Sequence, residues 1–278
     1  MAEAAQPEVG RTIDVSGIST NVHVLGDPRT QPTVLLVHGS GPGVSAYSNW
    51  RLTMPALAGQ FAVVAPDIVG FGFTERPEGI RYDLPTWTAH VVGVLDALGI
   101  SSAHVMGNSF GGAVALALAI HHPDRVRHLV LMGAAGGPME LTDGLDKVWG
   151  YTPSLEAMQE LLGIFAFDPT LVGPDLARIR FEASIRPGVQ DAYAQMFPAP
   201  RQRALDAITH DIEDLARIPH RTLIVHGRED RVIPLSSSLT LLSLIPHAQL
   251  HVFGECGHWS QIEHADGFNR LVGGFLTV

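Results

Sequence analysis

The stretch that most constrains the fold is Gly107-Asn108-Ser109-Phe110-Gly111-Gly112, a G-x-S-x-G pattern. The apolar run Ala103–Met106 precedes it and a run of small apolar residues follows it, so strand, tight turn and helix are predicted. The glycines of the pattern remove side chains that would collide where strand and helix meet. The turn then exposes Ser109 as a nucleophile, and the N–H of Phe110 at the helix start can point at an oxyanion. The alternative is an ordinary glycine-rich connection.

Apolar runs alternate with helical patterns along most of the chain. Several runs are apolar at every position, as in central parallel strands that helices cover on both faces. The alternation predicts an α/β fold with a mostly parallel eight-stranded sheet flanked by helices. Single helices are predicted for 46–58 and 260–276. The predicted strands are 12–15, 21–25, 34–37, 61–65, 103–106, 126–132, 222–227 and 250–253, and residues 16–19 join the first two as a hairpin.

The alternation stops after Gly133 and resumes near Arg217. Between these points the sequence predicts helices and no strand, with the clearest helices at 154–165 and 175–185. We therefore predict a core formed by 1–135 and 217–278 and an inserted helical cap formed by 136–216. The alternative is a helical excursion that has no part in the site.

Two further polar residues, Asp230 and His258, follow later predicted strands. With Ser109 they give the chain order Ser, Asp, His that a nucleophile in a G-x-S-x-G turn requires. Asp230 comes 230 − 109 = 121 residues after Ser109, and His258 comes 28 residues after Asp230, each just beyond a predicted strand. His258 could take the serine proton while Asp230 orients the imidazole. The rival carboxylates are Glu229 and Asp67, and Cys256 is a poor nucleophile candidate because no elbow carries it. Other histidines are expected to face solvent, namely His121, His122, His210, His220 and His264.

The predicted strand 34–37 ends in the glycine-rich loop His38–Gly43. A phosphate-binding loop is not expected there, because no lysine follows and Pro42 has no N–H. The His-Gly pair instead matches the second oxyanion-hole loop of G-x-S-x-G enzymes. His38 itself is expected to shape this loop.

The composition excludes several classes of protein. A formal net charge of −10 argues against nucleic acid and anionic membrane as partners. The single cysteine allows no internal disulfide, which suits a reducing cytosol. Residues 1–8 lack the features of a signal peptide, and no apolar run approaches the roughly 20 residues that a bilayer needs, so we expect a cytoplasmic protein. No metal or cofactor is expected, because H-E-x-x-H, cysteine pairs and compact His/Asp clusters are absent.

The order Ser109, Asp230, His258 resembles the α/β-hydrolase fold superfamily. Four segments resemble, more narrowly, the meta-cleavage product hydrolases, which cut carbon–carbon bonds in aromatic degradation. The Asn-Ser-Phe elbow is most similar to the branch that acts on single-ring products from phenol, toluene and alkylbenzenes, whereas the biphenyl-type branch usually has methionine after the serine. The likeness covers nearly the whole chain, including the cap. The four segments are His38–Val44 with Asn49-Trp50, Gly107–Gly112, Arg180–Gly188 and Gly257–Trp259.

This resemblance implies hydrolysis of the C5–C6 bond of 2-hydroxy-6-oxo-hexa-2,4-dienoates, such as 2-hydroxymuconate semialdehyde and its 6-alkyl analogues. The products would be 2-hydroxypenta-2,4-dienoate and a carboxylic acid. The dienol would first become the keto tautomer, and Ser109 would then attack the C6 ketone. The resemblance assigns the oxyanion to the N–H groups of Ser40 and Phe110. It assigns the substrate carboxylate to Arg180, with Arg186 as the rival and with Gly41, Asn49, Asn108 and Trp259 nearby.

Two other functions fit the same residues. A carboxylesterase could use the same triad, and a ligand receptor could keep the fold without turnover. Dehalogenases and epoxide hydrolases need an aspartate where this chain has Ser109. The sequence leaves open the substituent at C6, and it leaves open both a monomer and a homo-oligomer. Candidates for the walls of the C6 pocket are Val44, Met132, Trp149, Phe165 and Val232.

Overall fold

Eight strands form one sheet in the computed structural model, which describes residues 6–277. They are β1 (Arg11–Val15), β2 (Ile18–Leu25), β3 (Thr33–Val37), β4 (Ala62–Pro66), β5 (Ala103–Asn108), β6 (Val126–Met132), β7 (Thr222–Gly227) and β8 (Ala248–Phe253). The order across the sheet is β1-β2-β4-β3-β5-β6-β7-β8. Strand β2 runs antiparallel to both of its neighbours, β1 and β4, and β3 to β8 are parallel to one another. The predicted mostly parallel, eight-stranded sheet is confirmed. Residues 1–5, which belong to the segment where no signal peptide is predicted, lie outside the described residues.

Helices cover both faces of this sheet. Leu35 and Val37 of β3 pack in one apolar cluster and Val34 and Leu36 in another, so the strand is buried on both sides. Within residues 6–277, no helix combines the length and the apolar character that crossing a membrane requires. The helices are α1 (Ala46–Trp50), α2 (Met54–Leu57), α3 (Leu84–Ala97), α4 (Phe110–His121), α5 (Asp143–Trp149), α6 (Leu155–Phe165), α7 (Pro174–Ser184), α8 (Val189–Met196), α9 (Gln202–Asp206), α10 (Ile212–Leu215), α11 (Leu235–Leu244), α12 (Ser260–Glu263) and α13 (Ala265–Leu276).

The strand order reverses at β3, which pairs with β4 on one side and β5 on the other. In such a sheet the loops after the two strands at the reversal leave in opposite directions, and a crevice opens between them. The loop that begins at His38 follows β3, and the turn at Ser109 follows β5. The topology therefore brings the glycine-rich loop and the nucleophile to the same edge of the sheet.

Three local predictions are wrong in detail. The hairpin turns on two residues, Ser16 and Gly17, both with positive φ, so β2 begins at Ile18 and not at residue 21. The predicted helix 46–58 is two helices, because Pro55 has no N–H and fits only in the first turn of a new helix, α2. The predicted helix 260–276 breaks at His264, whose φ of −123° and ψ of 41° are not helical.

Helices α5 to α10 occupy the chain between β6 and β7. Side-chain oxygens of Thr142 and Ser154 cap α5 and α6 by accepting N–H groups of the first turn. Helices α6 and α7 pack against each other. The sequence signal identified only these two helices clearly, and the division at residues 136 and 216 stays a prediction.

Candidate active site

Ser109 occupies the tight turn between β5 and α4. Its φ of 54° and ψ of −120° are strained for a residue with a side chain. The hydrogen bond from the Ser109 N–H to the Met132 carbonyl, at 2.9 Å, ties the turn to the end of β6. A Cβ atom on Gly107 would clash with the carbonyl oxygen of Gly111 in the first turn of α4, and one on Gly111 would clash with the carbonyl oxygen of Val37. The structure thus contains the predicted strand, tight turn and helix, with glycine required at both flanks.

Two backbone segments can supply donors to an oxyanion beside Ser109. Phe110 opens α4, and the N–H groups of a first helical turn have no partner within the helix. Ser40 lies in the loop after β3, is 4% exposed and lines the same cavity as Ser109. The Trp149 indole N–H donates to the Ser40 hydroxyl oxygen at 2.9 Å, so α5 holds this loop from above. No local sequence pattern indicates that contact.

His38 shapes its loop, as predicted. Its Nε2 accepts the Ile68 N–H at 2.9 Å, and its Nδ1 donates to the Gly39 carbonyl at 2.7 Å. Burial lowers the pKa of His38 to about 4, so the ring is neutral at physiological pH.

Asp230 and His258 form a buried pair beyond the ends of β7 and β8. The His258 Nδ1 lies 2.7 Å from the Asp230 Oδ2, and the two side chains are 2% and 1% exposed. The other carboxylate oxygen accepts the N–H groups of Val232 and Ile233 at 2.8 and 3.0 Å, which fixes its orientation. Because Asp230 engages Nδ1, Nε2 is the nitrogen left to take a proton. His258 and Ser109 line the same cavity.

Glu229 and Cys256 support each other in the loops behind this pair. The Glu229 carboxylate accepts the Cys256 N–H at 3.0 Å and the Arg228 Nε–H at 2.7 Å. Burial raises the pKa of the Cys256 thiol to about 12, so the reactive thiolate is absent near neutral pH. Neither side chain competes with Asp230 or Ser109 for the chemistry.

Asp67, the other rival carboxylate, is fully buried and braces three segments of the core. It accepts the N–H groups of Ala46 and Phe73 at 2.6 and 2.8 Å and the side-chain amide of Asn21 at 2.8 Å. Burial raises its pKa, and the three donors partly oppose that shift. These contacts give Asp67 a structural role.

We expect Asp67→Asn to lower the free energy of unfolding by about 2–4 kcal/mol. The new amide would turn N–H groups toward donors that now share a carboxylate, which leaves buried polar groups unsatisfied. Urea denaturation at pH 7 measures the loss, with Glu213→Gln on the exposed start of α10 as the control. A change below about 0.5 kcal/mol would contradict the bracing role.

A cavity of about 670 Å³ opens above the carboxyl edge of the sheet. The loops after β3, β5 and β8 form its lower wall, and α6 and α7 contribute to its upper wall. The sequence-predicted residues that line it are Ser40, Gly41, Asn49, Asn108, Ser109, Arg180, His258 and Trp259. Phe110 and Asp230 do not line it, but Phe110 directly follows Ser109 and Asp230 is paired with His258.

Arg180 reaches this cavity from α7. Its Nη2 donates to the Pro42 carbonyl at 3.2 Å, and its side chain is only 11% exposed. Its Nη1 is buried and has no hydrogen-bond partner among the described residues. Burial lowers the pKa of Arg180 to about 10, which still leaves the guanidinium charged at neutral pH. A cation with a free donor therefore faces the cavity, and Arg186 also lines it.

Two asparagines and an aromatic pair complete the polar end of the cavity. The Asn49 side-chain oxygen accepts the Gly39 N–H at 3.0 Å, and its buried Nδ2 has no partner within residues 6–277, so it can donate to a ligand. Asn108 donates from its Nδ2 to the Met132 carbonyl at 3.2 Å. Trp259 stacks on Phe165 with ring centroids 4.9 Å apart and planes 9° apart.

Apolar side chains form the remaining walls of the cavity. Of the candidate wall residues, Val44, Phe165 and Val232 line it. Met132 does not, because it belongs to the apolar cluster on the opposite face of the sheet. The sequence did not identify several further apolar wall residues from the helical insertion, among them Leu145, Val148, Met158 and Leu162.

Glu263 links the histidine loop to the helical insertion, and sequence reasoning missed it. One carboxylate oxygen accepts the Gly257 N–H at 2.8 Å, directly before His258. The other accepts the N–H groups of Phe167 and Asp168 at 2.7 and 3.2 Å, just after α6. The only feature of the sequence that points to Glu263 is its position five residues after His258.

Two of the histidines expected to face solvent are buried. His210 Nε2 pairs with the Ala113 carbonyl at 2.9 Å, and His220 Nε2 pairs with the Pro123 carbonyl at 3.0 Å. Each uses its ring to satisfy a carbonyl oxygen near one end of α4, which the local sequence does not reveal.

Among the described residues, no group of three or more His, Cys, Asp or Glu side chains is arranged to hold a metal ion.

Comparison with known proteins adds the family context. The model of the α/β hydrolase fold family matches residues 32–265. The chain is 56% identical over 271 residues to a 2-hydroxymuconate semialdehyde hydrolase from Pseudomonas sp. strain CF600, covering 98% of this chain and 95% of that protein. It is also 56% identical to a 2-hydroxy-6-oxo-2,4-heptadienoate hydrolase from Pseudomonas putida strain F1, with 98% and 97% covered.

A solved structure gives the same result for the fold. The meta-cleavage product hydrolase CumD from Pseudomonas fluorescens IP01, determined as a mutant complexed with acetates, superposes with a TM-score of 0.94. The two chains are 56% identical, and the match covers 97% of this chain and 98% of that one.

Proposed function

Because the chain belongs to the α/β-hydrolase fold family and, within it, to the meta-cleavage product hydrolases, we propose that it hydrolyses the C5–C6 bond of 2-hydroxy-6-oxo-hexa-2,4-dienoates. The products are 2-hydroxypenta-2,4-dienoate and a carboxylic acid, and the reaction belongs to the catabolism of aromatic compounds. The observation that carries the proposal is the pairing, in one cavity, of a strained serine with a buried, partly unpaired guanidinium. An esterase has no need of that cation.

The carboxylate end of the substrate binds at the polar end of the cavity. Arg180 supplies a charge and the free Nη1, and Asn49 supplies the free Nδ2. Asn108, Trp259 and Gly41 wall this end. A buried guanidinium holds a carboxylate in a fixed orientation, which sets where C6 lies relative to Ser109.

Tautomerisation prepares the bond that breaks. The proton of the 2-hydroxyl leaves and a proton is added at C5, so the dienol becomes a 2-oxo compound with a C3–C4 double bond. The 2-oxo group can then accept the electron pair of the C5–C6 bond through C4 and C3. Without this electron sink the leaving group would be an unstabilised carbanion.

Ser109 then attacks the C6 ketone. His258 Nε2 takes the hydroxyl proton, Asp230 stabilises the imidazolium through Nδ1, and the N–H groups of Ser40 and Phe110 hold the oxyanion. Collapse breaks C5–C6, the dienolate leaves with the proton from His258, and the acyl group stays on Ser109. Water, deprotonated by His258, attacks the acyl carbon and releases the carboxylic acid and free Ser109.

The test is an absorbance assay with coloured ring-fission dienoates that carry hydrogen, methyl, isopropyl or phenyl at C6. We expect bleaching, with the highest kcat/KM for hydrogen or methyl and the lowest for phenyl, because the relatives at 56% identity are named for the small substituents. Bleaching of none of the four would remove the proposal.

We also propose that the reaction takes place in the cytoplasm. The support is chemical: Cys256 is a buried free thiol, which suits a reducing compartment. A homo-oligomer and a monomer are both compatible with this proposal.

A further inference from the structure

The segment before β1 forms part of the cavity wall. Gln6, Pro7 and Glu8 all line the cavity that contains Ser109 and Arg180. The backbone of this segment is held in place, since the Glu8 carbonyl accepts hydrogen bonds from the Asn21 side-chain amide at 3.1 Å and from the His23 Nε2 at 3.2 Å. The backbone of Glu8 is therefore anchored beside the site, although it lies about 100 residues before the nucleophile in sequence.

Glu8 faces a group of three arginines. Its carboxylate oxygens lie 4.0 Å from the Arg180 Nη1 and 3.8 Å from the Arg186 Nη1. Arg51 lines the same cavity and lies within electrostatic range of Glu8, and Arg186 is additionally stacked over the Phe73 ring at 4.0 Å. Three positive charges thus surround one carboxylate in a protein whose net charge is −10.

The spacing leaves these arginines able to bind another anion. Both distances from Glu8 exceed the roughly 3.2 Å limit of a good N–H···O hydrogen bond. The Arg180 Nη1 and the Arg186 Nη2 have no hydrogen-bond partner among the described residues. Glu8 therefore offsets charge without occupying the donors, and an incoming carboxylate need not displace it.

We propose that Glu8 sets the affinity of this site for carboxylates, and so determines how readily the dienoate product leaves. The inference rests on the proposed function, in which the Arg180 end binds the substrate carboxylate. Hydrolysis converts one anion in the cavity into two, the dienoate and the new carboxylate. A negative charge beside the arginines weakens the hold on both products and lowers the net positive charge of the empty, buried site.

Glu8→Gln tests this role because it removes the charge and keeps the shape. In a Ser109→Ala background, where the substrate stays intact, the Kd of the 6-methyl dienoate should fall about five- to tenfold. With Ser109 present, the competitive Ki of 2-hydroxypenta-2,4-dienoate should fall by a similar factor. Both gains should shrink as salt rises from about 0.05 to about 0.5 M, because screening weakens the arginine field. Glu213→Gln, which removes an equal charge from the exposed α10, should leave both constants unchanged.

The binding constants of Glu8→Gln distinguish the proposed role of Glu8 from its alternatives. Unchanged Kd and Ki in Glu8→Gln, with the wild-type protein active on the dienoate, would overturn the role of Glu8 and leave the proposed function standing. Weaker binding would also overturn it, because Glu8 would then be a brace that orients the arginines. Glu8→Ala, compared at the same salt concentrations, separates lost charge from a fold defect, since only lost charge tightens binding in both variants. Failure of the wild-type protein to act on any dienoate would instead remove the proposed function.

Discussion

Replacement of Ser109 by alanine should lower kcat for a ring-fission dienoate by about 10³-fold or more while the protein still folds and binds the substrate. The serine oxygen is the atom that forms the bond to C6, and no neighbouring group can replace it: Cys256 is buried with its pKa raised to about 12. Losses of this size accompany removal of the nucleophile from serine triads. Stopped-flow absorbance with the 6-methyl dienoate measures both the lost cleavage and the retained binding.

Ser236→Ala is the matched control for this variant. Ser236 lies exposed on α11, so the same chemical change there should leave kcat unchanged. Retention of more than about a tenth of wild-type kcat in Ser109→Ala would show that another group attacks C6 or that water is activated directly.

Replacement of Arg180 by methionine should lower kcat/KM for the dienoate by about 10²- to 10³-fold, equivalent to about 3–4 kcal/mol of transition-state binding. The same change should alter kcat/KM for a neutral p-nitrophenyl ester by less than about threefold, because the ester has no carboxylate to pair with the guanidinium. Methionine preserves most of the length and apolar volume of the arginine stem, so the packing of α7 is retained. The ratio of the two kcat/KM values is the measurement.

The helix supplies its own control. Arg178 lies two residues earlier on α7, with a side chain that is 63% exposed and paired with Asp175, so Arg178→Met should leave both substrates unaffected. Arg186→Met tests the rival cation at the same cavity. If Arg186→Met produced the selective loss and Arg180→Met did not, the carboxylate would belong to Arg186. An equal loss on dienoate and ester in Arg180→Met would exclude it as the carboxylate clamp.

The sheet and the positions of the catalytic candidates could be predicted because they depend on local signals. Each of these features can be recognised within about ten residues of sequence: a fully apolar strand, a G-x-S-x-G turn, and a polar residue just beyond the end of a strand. The parallel sheet then places the carboxyl ends of β5, β7 and β8 at one edge. Ser109, Asp230 and His258 are thereby brought to one region although 149 residues separate the first from the last.

Other parts of the site depend on contacts that no local pattern records. Glu8 reaches the arginines only because the segment before β1 folds back over the cavity. Trp149 reads as an apolar wall residue, yet its indole N–H holds the loop at Ser40. The two buried histidines near α4 are held in the interior by hydrogen bonds to carbonyl groups about 97 residues away in sequence. In each case tertiary packing overrides what composition alone suggests.

The most direct test of the central claim is a product balance on the purified wild-type protein with the 6-methyl dienoate. We expect the colour to disappear with formation of one 2-hydroxypenta-2,4-dienoate and one acetate for each substrate consumed. Loss of colour without acetate would show tautomerisation alone, and no loss of colour would show no reaction. Either result would contradict the cleavage of C5–C6 at Ser109.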